Sequence, residues 1–264
     1  MNNEQLTINN LSGGQLANNS FMLIFRHYLM RALKDPQTVL ILVMLPLGIV
    51  AITSMIETGE NFVNGYNITA TFNAVFNFTA FQFFSGAWLI HYLHTDFSRD
   101  VRWRLQSAPV SRLTFFFAAT AGIWVFTILQ GLLIIAVTSV FFNAYWGNPL
   151  ILAAVLLIIS VMAQLVSILI FLFTRTLHSG NAVIMVFIFG MMIISGMMFS
   201  LGSSAAAVFL RTHGTPLSLA SRAILYSGFI LDDMDSALFN IAVLSVIVVV
   251  MCAAVVIFGR RRLV

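Results

Sequence analysis

Charge is scarce in this sequence: 8% of its 264 residues are Asp, Glu, Lys or Arg, where soluble domains carry about 25%. There is one cysteine, Cys252, which excludes a disulfide framework within one chain and a cysteine-based metal site. The only lysine is Lys34, and no G-x-x-x-x-G-K-[ST] stretch occurs, so a nucleotide-binding P-loop is excluded. No H-E-x-x-H and no other nucleophile-and-base pairing is present, so the chain is not expected to be an enzyme by itself. The first twenty residues are polar and Asn-rich, without the apolar core of a cleavable signal peptide. Residues 1–19 are therefore expected to form a disordered cytoplasmic tail.

Hydrocarbon dominates what is there: 60% of the residues are hydrophobic, and the mean hydropathy is +0.97. The apolar residues fall into six blocks, about 38–56, 68–93, 113–142, 150–174, 182–201 and 237–258. Each is long enough to cross about 30 Å of hydrocarbon as a helix rising 1.5 Å per residue. The chain is expected to be an all-α integral membrane protein with six transmembrane helices and both termini cytoplasmic. Under that topology the inner segments hold Arg26, Arg31, Lys34, Arg99, Arg102, Arg104, Arg112, Arg175, Arg260, Arg261 and Arg262, and the outer ones only Arg211 and Arg222. This is a positive-inside bias, so the net charge of +4 reads as a topology signal and not as affinity for nucleic acid.

Three segments are more than plain spans or short loops. In residues 20–35, Phe21, Phe25, Tyr28, Leu29 and Ala32 gather on one helical face, with Arg26, His27, Arg31 and Lys34 across from them. An interfacial helix is predicted there, ended by Asp35-Pro36. In 96–108, Phe97, Val101 and Leu105 form one stripe opposite Arg99, Arg102 and Gln106, until Pro109 stops the pattern. That fits a cytoplasmic helix able to dock on a partner, or a solvated connector. Residues 202–235 hold two short apolar pieces broken at His213-Gly214-Thr215-Pro216, the pattern of an outer re-entrant hairpin or of a cap on the membrane surface.

Within the blocks the polar residues are uncharged: Asn73, Asn77, Gln82, Ser85, Gln130, Gln164, Ser167 and Ser195. Asn73 and Asn77 share a face that continues near Phe84. They line a substrate path or bond between helices. Met191 and Met198, in a Met- and Phe-rich fifth block, are further candidates for that path, since flexible thioethers adapt to varied apolar ligands. His91 and His94, with Asp96 nearby, allow a metal site on paper, but interfacial histidines also serve headgroups and carbonyls, and no metal is assigned. An ion-coupled carrier or channel would need charge inside the spans, which is missing. A sensor or scaffold that transports nothing stays open.

The stretch 98–113, "SRDVRWRLQSAPVSRL", resembles the cytoplasmic motif E-R-x-x-G-T-x-x-R-L-L-x-[AT]-P-[VL]-S-R of ABC-2 type permeases, membrane subunits of exporters of drugs, antibiotics, polysaccharides and lipids. Arg99, Arg104, Leu105, Pro109, Val110, Ser111 and Arg112 are retained, while Ser98 stands for the Glu and Asp100-Val101 for the Gly-Thr pair. Residues 215–225, "TPLSLASRAIL", are similar to the family's outer segment. The resemblance implies that 20–264 form one six-span permease domain in the inner membrane of a prokaryote. It implies a coupling helix that docks on a separate dimer of ABC ATPase subunits through Asp96, Phe97, Arg99, Asp100, Val101, Arg102, Trp103, Arg104, Leu105, Pro109 and Arg112. It further implies a second permease copy, identical or different, and an amphipathic or lipid-like substrate moved outward. No cofactor is expected on this chain; ATP and magnesium belong to the partner. "LSGGQ" at 11–15 matches the signature peptide of such ATPases, yet no ATPase domain surrounds it, and it is read as a chance match in a Ser/Gly/Asn-rich tail.

Overall fold

The computed structural model describes residues 20–56, 62–98, 112–199, 202–229 and 231–263. The tail with its 11–15 peptide, residues 99–108 of the expected coupling helix and the following 109–111 lie outside these described residues.

Helix α1 covers 20–34. Helix α2 follows as Pro36–Val39, a π-helical turn Leu40–Met44 and Leu45–Ile56. A two-stranded hairpin, β1 Phe62–Val63 and β2 Tyr66–Asn67, leads into α3, Ile68–Ser98. Then come α4 Arg112–Phe142, α5 Pro149–Phe173, α6 Leu177–Ile194, α7 Ala205–His213, α8 Pro216–Tyr226 and α9 Met234–Leu263.

Proline, a helix breaker in the interior, is used here mainly to start helices. Pro36, Pro149 and Pro216 sit in the first turns of α2, α5 and α8, each behind a capping residue. Asn148 accepts from Leu150 N at 2.9 Å and Thr215 from Ser218 N at 3.0 Å. The missing proline N–H is one that the first turn would leave unpaired anyway. Asn64 and Gly65, with φ of 52° and 82°, supply the two left-handed positions of a tight hairpin turn, which the hydrophobic pattern does not announce.

Among the described residues, five helices are long and apolar enough to cross a membrane: Pro36–Met55, Leu113–Phe142, Pro149–Phe173, Leu177–Ile194 and Met234–Gly259. Their large exposed side chains, among them Leu40, Val140, Phe141, Leu150, Val186 and Val246, would be untenable in water over so wide a surface. The chain is a multi-pass membrane protein.

The second apolar block forms α3, which is 31 residues long but is not among the five. Its polar residues lower its hydropathy, and they point inward: Thr71, Asn77, Thr79, Gln82 and Ser85 are all buried. α3 packs against α2, α4, α5, α6 and α8, and so occupies the middle of the bundle. A helix surrounded by helices can carry side chains that would be costly in lipid.

The fifth helix departs from the expected 182–201. It begins at Leu177 because Thr176 and Ser179 form a reciprocal capping box, and it ends at Ile194, where Gly196 takes φ 77°. Hydropathy marks residues that tolerate lipid, not where the backbone turns. The 202–235 segment contains two unequal helices. No residue of α7 is buried, whereas Leu217, Leu219, Ala220, Ala223, Ile224 and Leu225 of α8 are enclosed.

Buried amides join the core helices. Gln82 donates to Thr127 O at 3.3 Å, and Gln164 Nε2 donates to Thr127 Oγ1 at 3.1 Å. Gln130 Nε2 donates to Leu42 O at 2.9 Å. That last bond has a cause in α2: Pro46 lacks the N–H that an α-helix would direct to the carbonyl four residues back, and the π turn adjusts the register around it. Gln130→Leu is therefore expected to cost about 1–3 kcal/mol by stranding that buried carbonyl. In a Pro46→Ala background, where the N–H returns, the same change should cost less. Thermal unfolding of the four proteins in detergent checks this; equal costs in both backgrounds would show that the amide does not serve Leu42.

Candidate functional site

The candidate site is the end of α3 at Ser98, beyond which 99–111 lie outside the described residues. α3 does not stop at residue 93; it continues as one helix through Ser98. Asp96 and Phe97 thus lie within the described part of α3. α4 resumes at Arg112. Of the expected docking residues, Arg99, Asp100, Val101, Arg102, Trp103, Arg104, Leu105 and Pro109 lie outside the described residues.

Helix α1 lies against this end of α3 and against α4. Tyr28 and Ala32 of its apolar face are buried, and Arg26, His27 and Lys34 across from them are exposed. Gly122 of α4 makes the seat: a Cβ added there would fall 2.8 Å from Phe25 O and 3.0 Å from Tyr28 Cβ. The Tyr28 ring meets Tyr92 and Phe115 edge-on, with centroids 6.1 and 5.7 Å apart.

Asp96 is the anchor of the junction. Tyr28 donates its hydroxyl proton to Asp96 Oδ2, and Arg31 forms an ion pair with the same oxygen at 3.0 Å. The Arg31 guanidinium also lies 4.3 Å from the centre of the Tyr92 ring, a cation–π geometry. Burial, then the neighbouring Asp96 carboxylate, pushes the Tyr28 phenol far above its ordinary range, so it remains a donor at any physiological pH.

A second carboxylate, Asp35, closes the connection from α1 to α2. It accepts from Gln37 N at 3.1 Å and from the hydroxyl of Thr38. Trp88 Nε1 and Tyr92 OH of α3 reach it at 3.3 and 3.4 Å. Burial raises its pKa, but the bonds from Thr38, Trp88, Gln37 N and Tyr92 together outweigh burial and hold the carboxyl below the usual range. The last turns of α3, the whole of α1 and the start of α2 are consequently tied into one unit.

Composition gave no weight to Tyr28, Arg31, Asp35, Trp88 and Tyr92 as a group. The signal that could have found them is spacing: Tyr28, Arg31 and Asp35 stand at i, i+3 and i+7 on one segment, and Trp88, Tyr92 and Asp96 at i, i+4 and i+8 on another.

The candidate path residues are less unified. Asn77 is buried and donates to Asn73 O at 2.8 Å, within its own helix. Phe84 is half-buried and meets Phe189 of α6 edge-on at 6.0 Å. Met191 is buried, while Met198, in the bend past α6, is exposed. His91 and His94 diverge: His91 is exposed, and His94 is buried with Nε2 3.2 Å from Oγ1 of Thr174, the residue that caps the end of α5.

Searches of curated proteins and of solved structures returned no match. Residues 18–229 match the family described as ABC-2 type transporter, a stretch that runs from the first turn of α1 past α8 and includes the Asp96 junction. With this match over most of its length, on a multi-pass helical bundle, the chain belongs to the ABC-2 type transporter family of membrane transport components that work with an ABC ATPase.

Proposed function

We propose that this chain is the permease half of an ATP-driven exporter that moves an amphipathic or lipid-like substrate out of the cytoplasm or the inner leaflet. In this reading α3 joins the five apolar helices as the second of six crossings, both termini are cytoplasmic in a prokaryotic inner membrane, and α7 with α8 forms the outer re-entrant segment. Two permease copies enclose the path, with Asn73, Asn77, Phe84, Met191 and Met198 near it. Residues 96–108 form the coupling helix, and ATP with magnesium is held by a separate ATPase dimer.

The observation that carries the reading is the junction at Asp96. A loop gripped by a closing ATPase moves the bundle only if its root is rigid. Here the root is bonded to α1 through Tyr28 and Arg31, and Asp35, between α1 and α2, accepts from Gln37 N and Thr38 of α2 and from Trp88 and Tyr92 of α3. Closure of the motor would then act on α1, α2 and α3 together, biasing the permease between two access states. An ion-coupled carrier is disfavoured by chemistry: apart from Asp235 in the first turn of α9, the five apolar spans hold no Asp, Glu, Lys or Arg.

The test is coexpression with an ABC ATPase partner and substitution of Phe97 and Leu105 by Asp. Loss of copurification and of substrate-stimulated ATP hydrolysis is expected, because two desolvated apolar anchors become charged. A complex that survives both changes with full stimulation would overturn the docking role of this loop.

A further inference from the structure

A cavity of about 550 Å³ opens between α4, α5 and α9, within the range of roughly 300–1,000 Å³ typical of small-molecule sites. Its walls include Phe117 and Ala121 from α4, Val161 and Ile168 from α5, and Cys252 and Val256 from α9. None of the candidate path residues lines it.

Three polar side chains also border the cavity, and each directs its hydrogen bond elsewhere. Thr120 donates to Phe116 O at 2.9 Å, Trp124 Nε1 to Ser160 Oγ at 2.8 Å, and Gln164 Nε2 to Thr127 Oγ1 at 3.1 Å. Gln164 Oε1 is itself enclosed. The surface left to an occupant is therefore hydrocarbon.

The cavity runs along α4 from Leu113 to Trp124, about 16 Å at 1.5 Å per residue. That is roughly half of a 30 Å hydrocarbon core, the depth of one leaflet. Its end at Leu113, Leu172 and Gly259 is where all three walls meet arginine in the sequence. Arg112 precedes Leu113, the exposed Arg175 follows Leu172 by three residues, and Arg260, Arg261 and Arg262 follow Gly259 directly.

We propose that this cavity is a binding site for an anionic phospholipid, one acyl chain lying in it and the phosphate at its arginine-bearing end, near the exposed Arg175. The site is apart from the substrate path. It rests on the proposed topology only in that the arginine end faces the cytoplasm, where anionic lipid is concentrated.

The experiment places the full chain in phosphatidylcholine nanodiscs with a minor share of either phosphatidylglycerol or phosphatidylcholine bearing the same photoactivatable acyl chain. Cross-linked residues are mapped by mass spectrometry. Cross-links to residues 117–124, 161–168 and 252–256 are expected to exceed those on the exposed face of α6 several-fold, and to favour the phosphatidylglycerol probe. Arg175→Gln and Arg260→Gln should each lower that preference about five-fold, the effect of losing one basic residue near an anionic phosphate. Val256→Trp, at an exposed position that asks no room of the core, should reduce cross-linking in the cavity by both probes.

Even labelling around the bundle, or equal labelling by the two headgroups, would mean ordinary boundary lipid only and would overturn the site. Copurification with the ATPase should be untouched by Val256→Trp, and cavity labelling untouched by Phe97→Asp. Failure of this proposal is thus separable from failure of the exporter reading.

Discussion

Gly86→Val is expected to prevent the bundle from assembling. Gly86 lies at a close approach of α3 and α5: a Cβ added there would fall 2.1 Å from Ser167 Oγ and 2.8 Å from Ala163 O. The serine hydroxyl can rotate away, but the carbonyl belongs to the backbone of α5 and cannot move without the helix. Small residues at such crossings let helices share dispersion contacts that lipid would otherwise supply. Overpacking a core costs typically 1–3 kcal/mol, and a clash against backbone at the central helix pair should reach about 3 kcal/mol or more, a large part of a stability of roughly 5–15 kcal/mol. The expected result is a collapse in the monodisperse fraction on size exclusion in detergent. Ser167→Ala in the same chain should recover only part of the loss, because Ala163 O remains. Gly190→Val in α6, with open space around the added atom, is the control expected to fold. Wild-type melting of Gly86→Val would refute the close approach.

Gly122→Val should leave a folded bundle that no longer responds to its motor. The added side chain meets Phe25 O and the Tyr28 Cβ, so α1 must lift from α4. Lifting it breaks the bonds from Tyr28 and Arg31 to Asp96 while the α3–α5 core stays intact. Helicity and elution should be near wild type, and substrate-stimulated ATP hydrolysis by the permease–ATPase complex should fall about ten-fold, a coupling loss of ~1.4 kcal/mol. Arg31→Gln keeps the glycine seat and removes the ion pair. It should reproduce most of the functional loss with a smaller change in stability, since a partly exposed pair contributes only about 0–1 kcal/mol. If both variants hydrolyse ATP as the wild type does, the junction does not transmit.

Sequence reading and structure diverge in an instructive way. The apolar face of α1 was legible because burial of Tyr28 and Ala32 follows from helical spacing alone, but Arg31, expected across from that face, turns in to pair with Asp96 beside Tyr28. Helix ends were less legible. α6 begins five residues before its apolar block, at a capping box made by Thr176 and Ser179, and α3 runs five residues past its block to Ser98. Caps and continuations are backbone hydrogen-bond events to which hydropathy is blind. The Asn64-Gly65 turn was equally hidden, its strands being two residues each. The π turn of α2 has a visible cause in Pro46, but its remedy, Gln130, stands 88 residues away from Leu42.

Composition and order along the chain determined, unaided, that lipid is the solvent, that the elements are helices, and that a basic amphipathic segment precedes the first span. These are properties of single segments, governed by transfer free energy and by the period of one helix. Only the tertiary structure decided that α3 is the enclosed helix whose amides face inward, that Asp96 is held by Tyr28 and Arg31, and that α4, α5 and α9 part to leave a leaflet-deep cavity. Each of these depends on which faces meet across distant stretches of chain, 45 residues between Gln82 and Thr127, 65 between Arg31 and Asp96 and 36 between Trp124 and Ser160, and contact between distant segments is set by packing, which no local pattern encodes.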